Sequence, residues 1–272
     1  MALTKKKKVN KELVCFILFA ITIPILKTKL LNKYANLIGF VNLLPGQDEE
    51  LYEEYLDEYI LKCNPKMLSF DNYPFADGGS FGWYLTSLKL IREKAIEKNL
   101  PFGGFVGTST ASYNDKPNNE KNSITAGELN WSVNTLLAYG AKSYTWFTLI
   151  QPRSYALVGS EDEITSMDFE RVGLIGANGE ETNAYGYAQA INQWVANIDH
   201  ILMESESVAL LATGDAATTT GYTTNSDESV EISVDASNEV GAIVGVFHYK
   251  EQRAYYVVNI SSKEFGCIGK WW

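Results

Sequence analysis

Met67-Leu68-Ser69-Phe70-Asp71-Asn72-Tyr73-Pro74 runs a short apolar segment into a polar turn, and that change of character decides the fold. The apolar part has strand length, while Asp and Asn bond nearby backbone groups and so end regular structure. The same passage recurs at residues 38–42, 102–108 and 143–148, each closing on a polar, Asn-, Asp- or Thr-bearing turn. A loop and an amphipathic segment follow each of the four runs. The alternation reads as consecutive βα units, which build a parallel sheet whose working loops follow the strand C-termini. Four units are half of an eight-stranded barrel.

Outward from these strands, the connecting segments read as helices. Pro45-Gly46 breaks the first run, after which Leu51, Tyr52, Tyr55, Leu56, Tyr59 and Ile60 recur at helical spacing among Glu and Asp. Asn64-Pro65 ends that helix. A second helix carries Tyr84, Leu88, Ile91 and Ala95 on one face and stops at Asn99-Leu100-Pro101. Residues 108–123 form a long polar loop. Thr125-Ala126-Gly127-Glu128 then has the capping-box spacing, which satisfies free N–H groups at a helix start, and Leu129, Val133, Leu136 and Leu137 supply the buried face. Gly140 suits a left-handed helix terminus before the fourth strand. A long loop over residues 152–179 precedes a helix expected at 184–203.

From Val208 onward the pattern changes to alternating runs at residues 244–249 and 254–260, joined by Lys250-Glu251-Gln252-Arg253. That is a β-hairpin pattern. The expected organisation is therefore a basic and apolar segment at 1–34, a half-barrel at 35–205 and a small antiparallel β domain at 206–272. In the first of these, Lys5 to Lys8 precede an apolar stretch at residues 13–26. This resembles the first two regions of an export signal or an anchor, giving an extracellular or membrane-anchored protein. The stretch is short for a membrane span. Pro24 interrupts it, and no small-residue cleavage site follows, so it also reads as a barrel helix of a cytoplasmic protein.

A net charge of −10 argues against nucleic-acid backbones, which are bound by clustered Lys and Arg, and favours a neutral ligand. Aromatic residues make up 12% of the chain; they fill cores first, but their flat faces also suit stacking on sugars. Cys15, Cys63 and Cys267 lie far apart, with no Cys or His at metal-ligand spacing, so neither a disulfide framework nor a metal is expected. No cofactor motif is present either. Gly173, Gly176 and Gly179 lack the Lys of a phosphate loop and read as loop glycines. His200 and His248 stand near no nucleophile elbow, which removes Ser-His-Asp chemistry.

Several stretches in order resemble glycoside-hydrolase-like TIM barrels of the β-galactosidase-related clan, with a trailing β-sandwich. They are Phe40-Val41-Asn42-Leu43-Leu44-Pro45, Leu68-Ser69-Phe70-Asp71-Asn72-Tyr73-Pro74-Phe75 and Pro101-Phe102-Gly103-Gly104-Phe105-Val106. Glu128-Leu129-Asn130-Trp131, Leu137-Ala138-Tyr139-Gly140-Ala141-Lys142, Gly173-Leu174-Ile175 and Asn178-Gly179 continue the series. The resemblance implies an α/β fold, a partial (β/α)8 barrel comprising strands five to eight, followed by the start of the sandwich. It also implies absences. Such glycosidases carry an acid/base Glu after strand four, a part with no counterpart here. Their nucleophilic Glu ends strand seven, where this chain reads Val106-Gly107-Thr108-Ser109-Thr110. Hydrolysis needs two carboxyls, about 5 Å apart for retention or about 6.5–9.5 Å for inversion.

Asp71 is the leading catalytic candidate because it directly follows an apolar strand at the rim; the alternative is a turn residue bonding backbone N–H groups. Glu128, at the start of a barrel helix, is the second candidate, with the helix cap as its alternative. Asn42, Tyr73, Thr108 and Trp146 fall at or near strand ends as saccharide-binding candidates, although Trp146 also suits a core position. The expectation is a glycosidase-like protein that acts on or binds carbohydrate, with reduced or no autonomous activity. The alternatives are a non-catalytic carbohydrate-binding surface protein and a half-barrel that assembles with a second copy or a complementary half.

Overall fold

The computed structural model describes residues 41–46, 48–76, 79–109, 124–150, 173–176, 179–214 and 241–259. The N-terminal basic and apolar segment, the residues before Val41 and most of the two long loops lie outside the described residues. Four strands, β1 (Asn42–Leu43), β2 (Leu68–Asp71), β3 (Phe102–Gly107) and β4 (Ser143–Phe147), form one parallel sheet in the order β1-β2-β3-β4. Helices α1 (Glu49–Cys63), α2 (Phe81–Glu97) and α3 (Ala126–Ala138) connect them, and α4 (Asn183–Ala196) and α5 (Asp199–Glu204) follow. The expected alternation of parallel strands with helices is present.

Strand order equal to chain order has a consequence for the layers. Right-handed crossovers made always in the same direction put every connecting helix on one face of the sheet. The burial pattern agrees. Leu43, Leu68, Phe70, Phe102 and Val106 are buried in the core with the helices. A side chain at Gly104 would come within 2.9 Å of both Leu136 of α3 and Phe70, so α3 lies close against this face. The strand register sets Asn42, Ser69, Asp71, Gly103, Phe105, Gly107, Ser143, Thr145 and Phe147 on the opposite face.

Local chemistry explains the helices. Asp48 caps α1 by accepting from the Leu51 N–H at 3.0 Å, and Tyr52, Leu56, Tyr59 and Cys63 form its buried stripe. Leu51, placed on that stripe by its spacing, is exposed instead. Tyr84, Leu88, Ile91 and Ala95 of α2 are all buried, as are Leu129, Val133, Leu136 and Leu137 of α3. Lys94 of α2 reaches Glu53 at 2.9 Å and Asp57 at 2.8 Å, tying α2 to α1. The helix expected over 184–203 is two helices. At the break, the Asn197 and Ile198 N–H groups bond carbonyls three residues back, tightening the turn and redirecting the chain.

Strands β5 (Glu206–Thr213), β6 (Ala242–Tyr249) and β7 (Gln252–Asn259) form a separate antiparallel sheet in chain order. The expected hairpin is there, with a tighter turn: Tyr249 pairs with Gln252, and Lys250 takes a left-handed φ of 55°. This sheet packs against the C-terminal end of α3, and Ile243, Phe247, Tyr256 and Val258 belong to the same core as Leu136 and Leu137. The Tyr256 hydroxyl bonds Asn134 Oδ1, the Lys142 ammonium donates to the Ser205 carbonyl at 2.6 Å, and Arg92 donates to Ser207 Oγ at 3.1 Å. The two sheets thus share a core, with the antiparallel one at the end remote from the strand C-termini. Among the described residues, no helix is long and apolar enough to cross a membrane.

Candidate functional site

The face of the parallel sheet away from the helices changes character along the strands. Near the strand N-termini it is closed: Ser69 is buried, and the space beside Gly103 is taken by Ser143 and Met67. Towards the C-termini it opens, with Asp71 and Phe105 half-buried, Thr145 exposed and Phe147 37% exposed. That end is where βα folds place their working residues.

Asp71 ends β2, and its Oδ2 accepts a 2.6 Å hydrogen bond from Asn42 Nδ2 on β1. The pair follows from register, because Asn42 aligns with Ser69, one pleat before Asp71 on the same face. Burial pushes the Asp71 carboxyl above its usual range, while hydrogen bonding by Tyr73 and Asn42 pulls it back down. Among the strand residues of this face, Asp71 is the only acid.

Tyr73 lies two residues beyond β2. Its ring stacks on Phe147 of β4, with centroids 5.7 Å apart and planes 24° apart. Phe105 meets the same Phe147 ring edge-on at 6.3 Å. Tyr73 reaches across β3 because position 107 is glycine: a side chain there would meet the Tyr73 ring at 2.9 Å. The loop carrying Tyr73 is pinned by Phe75, which packs edge-on against Phe81 at 5.1 Å and against the buried Trp131 at 5.3 Å. Phe81 and Trp131 meet in the same manner at 5.4 Å. This ring-on-ring support adds to the loop's own backbone bonds, from the Ala76 N–H to the Tyr73 carbonyl and from the Gly79 N–H to the Ala76 carbonyl.

The structure brings Asn42, Asp71 and Tyr73 together and sets the other candidates elsewhere. Glu128 is engaged in the helix cap. Its Oε2 accepts from the Thr125 N–H at 2.7 Å and from Thr125 Oγ1 at 2.9 Å, while its own N–H donates to Thr125 Oγ1. Thr108 is buried in the seam between β3 and β4. Its N–H donates to the Phe147 carbonyl at 2.8 Å, and its Oγ1 accepts from the Thr148 N–H at 2.8 Å. The Phe147–Thr148 peptide beside it is cis.

Trp146 lies on the helix side. With Tyr144 it shares Asn192 of α4, whose Oδ1 accepts from the Tyr144 hydroxyl at 2.7 Å and from Trp146 Nε1 at 3.3 Å. Burial pushes the Tyr144 phenol up to about 12, so this hydroxyl stays a donor. Phe147 and Phe105 are the rings that sequence reading passed over. Strand alternation held the signal, since Trp146 and Phe147 must point to opposite faces and Asp71 aligns with Phe105.

Gly176 and Gly179 sit in a tight turn, where the Gly179 N–H bonds the Gly176 carbonyl at 3.0 Å, which accords with loop glycines. No group of His, Cys, Asp and Glu suited to a metal occurs among the described residues. The arrangement at the strand ends offers one half-buried carboxylate, an amide that orients it and an aromatic platform. The Phe147 ring is exposed there, whereas Asp71 Oδ1 and the Tyr73 hydroxyl are shielded from solvent. The chain matches no protein-family model and no curated protein, which leaves the chemistry of these side chains as the guide to its function.

Proposed function

We propose that this chain is a glycoside-hydrolase-like half-barrel that binds carbohydrate at the strand ends around Asp71, with reduced or no hydrolytic activity of its own. The observation that supports it is the convergence of the Asn42–Asp71 pair with the Tyr73–Phe147 stack on one sheet face. A saccharide offers hydroxyl donors at its edge and C–H groups on its face, which complement a carboxylate beside stacked rings. Hydrolysis needs a second carboxyl across the scissile bond, and Glu128 is occupied in its cap.

The test is saccharide titration followed by NMR, alongside incubation with chromogenic glycosides. Binding that perturbs Asp71, Tyr73 and Phe147, without turnover, is the expected result. Turnover abolished by Asp71→Asn would make the chain a working glycosidase, and absence of binding to any saccharide would remove the carbohydrate reading.

Assembly with a second copy or a complementary half is the further reading. The observation that favours it is the exposure of Thr145 and Phe147 on a face of a parallel sheet, because parallel sheets are ordinarily covered on both faces. A monomer at all concentrations in sedimentation would count against self-assembly.

A further inference from the structure

We propose that Gly107 is a positioning residue for this site: by having no side chain, it lets the Tyr73 ring lie across β3, where it stacks on Phe147. The backbone at Gly107 is ordinary strand, so no special dihedral requires glycine there. What requires it is space. A Cβ built at position 107 stands 2.9 Å from Tyr73 Cδ1, 3.4 Å from Cγ and 3.6 Å from Cε1. All three neighbours belong to one ring, so the close approach concerns Tyr73 and no other group.

That ring has little room to retreat. Phe147 stacks on it with centroids 5.7 Å apart, and Phe75, two residues on, is locked against Phe81 and Trp131. A methyl at position 107 therefore displaces the ring from β3 and alters its influence on Asp71. Tyr73 and Asn42 are the two groups whose hydrogen bonding holds the Asp71 carboxyl down against burial. Losing Tyr73 leaves burial less opposed, so Asp71 gives up its proton at higher pH.

Gly107 touches no ligand in this scheme and acts through Tyr73. The proposal rests on the reading of this face as a ligand site only for its binding measurement. The other two measurements need no ligand.

The experiment follows the Asp71 carboxyl by carbon-detected NMR titration in the full chain, its Gly107→Ala, Tyr73→Phe and double variants. Gly186→Ala is the control, because a side chain there meets nothing within 4 Å. Gly107→Ala and Tyr73→Phe should each raise the Asp71 midpoint, the double variant should add little, and Gly186→Ala should leave it in place. Saccharide affinity should fall about tenfold in Gly107→Ala, the worth of one ring contact.

Should Gly107→Ala fold poorly, thermal unfolding of Tyr73→Ala and Tyr73→Ala/Gly107→Ala decides. Once the ring is gone, the added methyl should cost nothing. An unmoved Asp71 midpoint in Gly107→Ala, or a methyl that destabilises equally with and without the ring, overturns the proposal. Failure of saccharide binding in the wild-type chain alone overturns the carbohydrate reading and leaves the titration result standing.

Discussion

The two faces of the parallel sheet differ in kind. The helix-side face is built from Leu43, Leu68, Phe70, Phe102 and Val106, all buried, with Gly104 admitting α3. The opposite face carries Asn42, Asp71, Phe105, Thr145 and Phe147, which become more exposed towards the strand ends. Close packing therefore resides on one side, and the accessible polar and aromatic groups on the other. Substitutions one residue apart along a strand should separate into two classes of effect.

The sharpest way to break this contrast is Phe70→Ala. It removes a fully buried ring from the helix side and should cost about 3–5 kcal/mol, measured as the shift in chemical denaturation. A small cost would mean that the helix-side face is looser than its burial implies. Gly104→Ala comes next, at about 1–3 kcal/mol, because the new methyl presses on Leu136 and Phe70. On the open face, Phe147→Ala should change stability by about 1 kcal/mol or less while weakening saccharide binding about tenfold by calorimetry. An equal loss of stability on the two faces would erase the distinction.

The smallest expected effect concerns Asp71 and pH. Its carboxyl holds a proton to higher pH in the folded chain than in the unfolded one. Its contribution to stability is thus complete below the ordinary carboxylate range and is lost as pH rises through that range to the folded midpoint. Asp71→Asn should remove this decline, leaving a flatter profile of unfolding temperature against pH. An unchanged profile would show that the open end of the sheet does not desolvate its carboxylate.

Much of the fold was legible because backbone periodicity reports it directly. Tyr84, Leu88, Ile91 and Ala95 at helical spacing are the buried stripe of α2, and Thr125 with Glu128 is a complete capping box. The split of the last long helix at Asn197 was hidden, since apolar spacing continues through it and only local hydrogen bonding records the turn. At the site, Asp71 with Asn42 and Tyr73 could be read from strand ends. Thr108 and Trp146 also stand at strand ends, yet one is consumed by the β3–β4 seam and the other points to α4. Position along the chain locates a strand end, whereas the facing of each side chain depends on register with its neighbour. For the same reason Phe147 needed the pairing of Gly107 with Phe147 before it could be placed on the Asp71 face.

Trp131 carries one more consequence. Its indole is buried among Phe75, Phe81 and Tyr84, and its N–H has no hydrogen-bond acceptor among the described residues. Away from water and polar partners, such an indole emits at short wavelength, and Phe75 joins it to the loop that bears Tyr73. With the other five of the six tryptophans replaced, its emission would report, without any label, how firmly the loop that bears Tyr73 is seated.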